Sequence, residues 1–256
     1  MICRMLITLA IGGGVLFAGS RGHASTAYEW HTLAAAPGQL DDVHTHLRER
    51  VLPALGSRGV RAVAVFTPIG DNPEGLVHLV VAGGPEGAEA AGPDLLVGVA
   101  EWQSLLAGAD GAPAVATSRS MQRLRTTAWS PLPSAATDAA PRVFELRTYT
   151  SPDAAKRQAL LQRFEHHTLK LFEKHGMTNV IYWTPAAGPD ADTKLVYLLA
   201  HESTGAAKAS FDGFRKDPDW TAAKTASETA AGGSLTIKEK GVVSEFLAPT
   251  DYSPLR

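Results

Sequence analysis

The stretch Arg142-Val-Phe-Glu-Leu-Arg-Thr-Tyr-Thr150 alternates residue by residue and reads as a β-strand. Its centre, Phe144-Glu145-Leu146-Arg147-Thr148-Tyr149, has a counterpart far upstream in Tyr28-Glu29-Trp30-His31-Thr32-Leu33. Further matches follow in the same order. Gly59 corresponds to Gly176, Val65-Phe-Thr-Pro68 to Tyr182-Trp-Thr-Pro185, Val77-His-Leu-Val80 to Val196-Tyr-Leu-Leu199, and Trp102 to Trp220. The offset drifts only from 116 to 119 residues along the chain. Ordered matches at nearly constant spacing identify one structural unit present twice.

Each copy reads β-α-β-β-α-β. In the second copy, Ser151-Pro152-Asp153 opens a helix, with a capping serine and a proline suited to the first turn. Leu160, Leu161, Phe164, Leu169, Leu171 and Phe172 recur at helical spacing, and Gly176 ends the helix. Strands follow at Thr178 to Thr184 and Lys194 to His201. Ala206 to Ala231 is helical, interrupted near Asp217-Pro218-Asp219, where Asp217 can cap a restarted helix. Leu235 to Leu247 reads as the last strand, bent or bulged at Gly241. In the first copy, helices are expected at Gln39 to Leu55 and Leu95 to Leu106, and a last strand at about Met121 to Trp129. Gly83-Gly84-Pro85-Glu86-Gly87 reads as a turn.

This element order places both helices of a unit on one face of an antiparallel sheet. The other face needs cover. The expected fold class is therefore α+β, with two tandem ferredoxin-like units packed sheet to sheet as an intrachain α-β barrel. Residues 1–24 read as a signal peptide: Arg4, an apolar run from Met5 to Ala18, and Gly22-His23-Ala24 before a cut after Ala24. An uncleaved anchor or an N-terminal core helix is the alternative. The units span 25–130 and 142–256, joined by a Pro/Ala-rich linker at 131–141. A cleaved chain is exported, periplasmic or extracellular, and has no thiol, because Cys3 lies in the leader. The net charge of −2, from 24 basic and 26 acidic residues, gives no basic excess that would suggest nucleic acid as a partner.

The second copy resembles the NIPSNAP family. The resemblance is carried by Phe144 to Tyr149, His167 through Phe172-Glu-Lys-His-Gly-Met177, Tyr182-Trp-Thr184 and Leu195 to His201. It continues in Phe214-Arg-Lys-Asp-Pro-Asp-Trp220 and Pro249-Thr-Asp-Tyr-Ser-Pro254. The first copy is a degenerate repeat, with His31 in place of Arg147 and no Asp-Pro-Asp before Trp102. The resemblance implies a dimeric α-β barrel, an architecture shared with small monooxygenases and haem-handling proteins. It implies no specific activity.

Strand alternation divides Phe144, Leu146 and Thr148 from Glu145, Arg147 and Tyr149. On polarity, the first set is expected against the helices and the second inside the barrel. Candidate cavity residues are then Glu145, Arg147, Tyr149, Tyr182, Tyr197 and His201, with Glu29 and His31 as first-copy counterparts. Glu145 and Arg147 either orient a polar ligand or form an ion pair that sets strand register. His166 and His167 are helix neighbours about 100° apart and lack the i, i+4 spacing of a zinc helix. No metal site and no cofactor is expected, with haem as the alternative. Three readings follow: an exported protein binding a small ligand in a sheet-lined cavity, an oxygenase-like or haem-handling enzyme, and a structural protein with a filled barrel. The partners expected are a small molecule and, in one variant, further copies of the chain.

Overall fold

The computed structural model describes residues 26–83, 94–109, 111–133 and 142–256. The leader at 1–24, most of the linker at 131–141 and most of the Gly83–Gly87 turn lie outside them.

Eight strands form one closed antiparallel barrel. They are β1 (Ala27–Ala35), β2 (Val60–Pro68), β3 (Leu76–Gly83), β4 (Ala116–Thr126), β5 (Val143–Thr150), β6 (Thr178–Pro185), β7 (Lys194–His201) and β8 (Val242–Pro249). Their order around the barrel is β1-β3-β2-β8-β5-β7-β6-β4. Each unit supplies four contiguous strands, and two short seams join the units. One pairs Phe66, Thr67 and Pro68 with Pro249, Ala248 and Leu247. The other pairs Leu124, Arg125 and Thr126 with Pro185, Thr184 and Trp183. Closure satisfies main-chain groups that two separate sheets would leave open at their edges.

The first helix of each unit is built the same way. In the first unit, α1 (Leu40–His46) and α2 (Leu52–Gly56) are joined through a π-helical turn, Leu47–Val51. In the second, α4 (Ala154–Arg163) and α5 (Leu169–Lys174) are joined through Phe164–Thr168. Each rod is followed by a glycine in the left-handed region, Gly59 at φ 68° and Gly176 at φ 78°. The repeated π turn is a feature that periodicity did not disclose. The remaining helices are α3 (Ala100–Ala107), α6 (Thr204–Lys216) and α7 (Pro218–Ala230). Asp217 starts α7 as expected: its Oδ1 accepts from the Asp219 amide at 2.9 Å.

Four elements differ from their sequence expectations, the first being α4, which is capped by Asp153, whose Oδ1 accepts the Lys156 amide at 2.8 Å, rather than by Ser151. The second helix of the first unit begins at Ala100 rather than Leu95, because Gly98 adopts φ 74° and Val99 is extended. β4 spans 116–126 rather than 121–129, because its ladder with β1 runs on to the Ala35–Ala116 pair. Trp129 has left the strand and packs against the Tyr182 ring, 5.2 Å between centroids. The last strand begins at Val242, not Leu235. The preceding loop is pinned to the end of β5, where the Thr150 amide donates to the Gly241 carbonyl and Ile237 donates to Thr150.

Both faces of the sheet carry a buried core, while residues 117–121 of β4 and 242–244 of β8 are exposed. The lumen is filled by Tyr28, Trp30, Phe66, Phe144, Trp183, Leu198 and Leu247, drawn from both units. Each unit has a second core between sheet and helices. Leu33, Leu47, Val65, Leu79 and Trp102 belong to the first, and Phe164, Phe172, Tyr182, Tyr197, Leu199 and Phe214 to the second. Burial in the lumen falls off toward one end, from Phe144 and Leu247, with no exposure, to Val243 at 51%.

Candidate functional site

The polar residues of β5 do not face the lumen. Phe144 lies in the lumen core, with Leu146 packed against it, whereas Glu145, Arg147 and Tyr149 point at the helices. The same inversion holds for Tyr182, Tyr197 and His201, and in the first unit for Glu29 and His31. Polarity could assign the faces only if one of them met water. Here both are covered, and the more apolar set fills the lumen.

On the helix side these residues form one hydrogen-bonded layer. The Arg147 guanidinium pairs through Nη1 with Glu145 Oε1 and donates from Nε to the Tyr197 hydroxyl at 2.9 Å. Tyr149 accepts from Arg147 Nη2 at 3.5 Å. His201 Nε2 lies 3.1 Å from Glu145 Oε2. Phe211 of α6 covers Arg147, its ring centroid 4.3 Å from the guanidinium carbon. Tyr182 stacks on Tyr197 at 5.1 Å and 14°, and its hydroxyl donates to Asn179. Of the residues named from sequence, the fold gathers Glu145, Arg147, Tyr149, Tyr182, Tyr197 and His201 here and leaves Glu29 and His31 apart in the first unit, and it adds Asn179 and Phe211.

Glu145 and Arg147 are 2% and 8% exposed, so their charges persist only through mutual satisfaction. Burial pushes the Glu145 carboxyl upward, but the His201 hydrogen bond and the Arg147 charge outweigh it and leave the group below its ordinary range. Burial opposes the Arg147 charge, and the Tyr197 and Tyr149 oxygens with the Glu145 carboxylate more than restore it. Burial holds the phenols of Tyr182 and Tyr197 well above their usual value, so both keep their protons. A protonated Tyr197 accepts from Arg147 while retaining a proton of its own. The layer is an ion pair locked between protonated phenols and aromatic rings. It links β5 to β7 through Tyr197 and His201 and lies against α6 through Phe211.

The first unit carries a reduced copy. His31 Nε2 lies 2.9 Å from Glu29 Oε2, and Glu29 Oε1 accepts the Leu95 amide at 2.7 Å. Here a main-chain donor does part of what Arg147 does in the second unit. His31 also packs edge-on against Trp102 at 5.0 Å and lines a small cavity of about 140 Å³ with Asp94, Leu96, Gln103, Ser118 and Met121.

Two further features escaped sequence reasoning. His78 faces the lumen: the Trp30 indole donates to its Nδ1 at 3.2 Å. The Thr32 hydroxyl lies 3.1 Å from the same Nδ1, and Nε2 stands 3.7 Å from Glu245 Oε1. The other feature is a groove of about 600 Å³ between the α4–α5 rod and α7. Ala155, Ala159, Ala223, Ala226, Ala230 and Ala231 give it an apolar floor, and Lys156, Gln162, Arg163, His166, His167 and Ser227 supply its polar wall. It lies within the range of about 300–1,000 Å³ usual for small-molecule sites. Its floor residues are alanines scattered over two helices, a pattern with no motif to read.

Among the described residues no cluster of three or more His, Cys, Asp or Glu could hold a metal ion, and no helix is long and apolar enough to cross a membrane. Haem does not fit the polar layer. His201 is wedged against Phe211 and Phe246, with centroids 6.3 and 6.4 Å away, and Nε2 is engaged by Glu145. Its Nδ1 has no hydrogen-bond partner among the described residues but is buried, and an axial ligand needs a ring nitrogen that faces an open slot.

None of the curated proteins matches this sequence significantly. Among solved structures, a protein from Fusobacterium nucleatum, provisionally named a monooxygenase, aligns with 7% identity over 89% of this chain and 93% of its own, with a TM-score of 0.55. A protein provisionally named a chlorite dismutase aligns with 10% identity over 90% and 96%, with a TM-score of 0.50. At these identities the likeness is one of fold. A NIPSNAP family protein of unknown function from Agrobacterium tumefaciens aligns with 19% identity over 45% of this chain and 94% of its own, with a TM-score of 0.37. The NIPSNAP family model matches residues 144–254. The stretch that matches the NIPSNAP model, residues 144–254, forms one half of an intrachain α-β barrel.

Proposed function

We propose that the chain is an exported small-ligand-binding protein whose site is the groove between the α4–α5 rod and α7, rather than the barrel lumen. The observation that carries this reading is the groove itself. It offers about 600 Å³ beside polar side chains, whereas the lumen is filled by Trp30, Phe66, Phe144 and Trp183. The Glu145–Arg147–His201 layer then serves as the scaffold beneath the groove. Its members are buried and spend their hydrogen bonds on one another. Export rests on the apolar run and the small-x-small pattern of the first 24 residues.

The test is mass spectrometry of small molecules that copurify with the processed chain, done on wild type and on Ala226→Trp. Ala226 is exposed on α7 and lines the groove, so an indole there occupies the space without disturbing the core. The expected result is a copurifying species that the variant loses while keeping the wild-type melting temperature. The same species at the same stoichiometry in both proteins would rule the groove out.

A second reading, an assembly protein with a filled barrel, is favoured by the aromatic lumen shared between units. It anticipates no copurifying molecule, and a melting temperature that no metabolite panel moves.

A further inference from the structure

We infer that the groove between the α4–α5 rod and α7 takes an anionic amphiphile, a carboxylate on a short apolar body, with Arg163 as its anchor. This inference rests on the groove being the binding site and adds the class of ligand.

Arg163 is the last residue of α4 and lines the groove, with its side chain only 4% exposed. The guanidinium stacks over Trp220 at 5.0 Å, which fixes its plane. Its hydrogen bonding is incomplete. Nη1 donates weakly to Ser227 Oγ at 3.4 Å and stands 3.7 Å from Glu228 Oε1. Nε is buried and has no partner among the described residues. An arginine cannot shed its proton to escape this situation, and an unmet donor on a buried charge is costly. Contrast Arg147, whose Nε and Nη1 each have a close partner. Of these two arginines, only Arg163 is both undersupplied with acceptors and beside open volume.

Lys156 adds a second permanent cation to the groove wall. Lys156, His166 and His167 stand along the same rod, and no carboxylate is among the described lining residues. A cation would meet like charges there. A fully polar anion would leave the alanine floor uncovered, whereas an acyl or aryl body of modest length would cover it. The carboxylate would take the planar guanidinium that Trp220 already orients, and Ser227 would remain within reach of a second oxygen.

The test is isothermal titration calorimetry of the full processed chain with octanoate, octanol and octylammonium, repeated on Arg163→Met and Ala226→Trp. Octanoate is expected to bind, octanol to bind at least about tenfold more weakly, and octylammonium not to bind, since one hydrogen bond to a charged group contributes roughly that factor or more. Arg163→Met is expected to erase the preference for octanoate over octanol, and Ala226→Trp to abolish binding of both. Equal affinity of wild type for octanoate and octanol would overturn the anionic class while leaving the groove as the site. No binding of any probe to wild type would overturn the class and weigh against the groove as well. The wild-type comparison needs no variant, so it stands even if Arg163→Met fails to fold.

Discussion

Glu145→Ala is expected to destabilise the protein by about 3–5 kcal/mol, the usual cost of removing one partner of a buried ion pair. The substitution leaves Arg147, 8% exposed, with the Tyr197 hydroxyl as its close acceptor and no counter-charge. It also removes the acceptor of His201, whose Nδ1 is already without a partner among the described residues. In a chain of this size, each kcal/mol moves the melting temperature by roughly 2–4 °C, so a drop of about 6–20 °C is expected. Equilibrium urea denaturation with an unchanged slope checks it. A control separates the charge from the packing: Glu145→Gln with Arg147→Met removes both charges, and should recover part of the loss. A loss below about 1 kcal/mol for Glu145→Ala would mean that water reaches the layer and that the pair is not confined.

The same pair sets the acid limit of stability. Glu145 titrates lower in the folded chain than its ordinary value of 4.5, because His201 and Arg147 outweigh the effect of burial. A carboxyl shifted downward contributes stability that is complete above the unfolded value and is lost as pH falls through the folded one. Wild type should therefore lose melting temperature below about pH 4.5 more steeply than Glu145→Gln, which has no proton to take up there. Parallel acid profiles for the two proteins would place the sensitivity on another carboxylate.

How far the sequence could be read depends on which physical rule each residue obeys. The repeat was legible because hydrophobic alternation and turn chemistry recur together: Phe144 to Tyr149 against Tyr28 to Leu33, and Gly176 against Gly59, both of which take positive φ. Closure into a barrel was legible because two sheets with bare faces have few other ways to hide them. The membership of the polar layer was legible too, since Glu145, Arg147, Tyr197 and His201 share one face by strand parity. Which face that was could not be read. Parity gives two sets, and polarity orders them only when water touches one side. In β5 both sides are covered at Phe144 and Glu145 and partly covered beyond, and the decision falls to Tyr197, His201 and Phe211, which satisfy the charges on the helix side. His78 was hidden for a related reason. It stands in a run of aliphatic residues, and its role depends on Trp30, a residue 48 positions away in sequence. The groove was hidden because alanines leave no periodic mark when the space matters more than the side chains.

The lumen core makes the two units one folding object, and Trp183→Ala measures how strongly. Trp183 is 1% exposed on β6 of the second unit. Its ring meets Tyr28 edge-on at 5.6 Å and Trp30 at 6.2 Å, both on β1 of the first unit. Trp183 also sits in the β4–β6 seam, paired with Thr126, where three residue pairs are flanked by main-chain bonds from the Thr127 amide to Tyr182 and from the Ala186 amide to Arg123. Removing the indole opens a cavity between two rigid sheets that cannot collapse independently, at a cost of about 3–5 kcal/mol. If the units depend on this shared core, far-UV circular dichroism and the fluorescence of the remaining tryptophans should report one coincident transition, moved to lower denaturant as a whole. If each unit were stable by itself, the variant would show two transitions. The one belonging to the sheet–helix core of Leu33, Leu47 and Trp102 would remain at its wild-type position, and the lumen would have to be regarded as an interface between finished domains rather than the core of one.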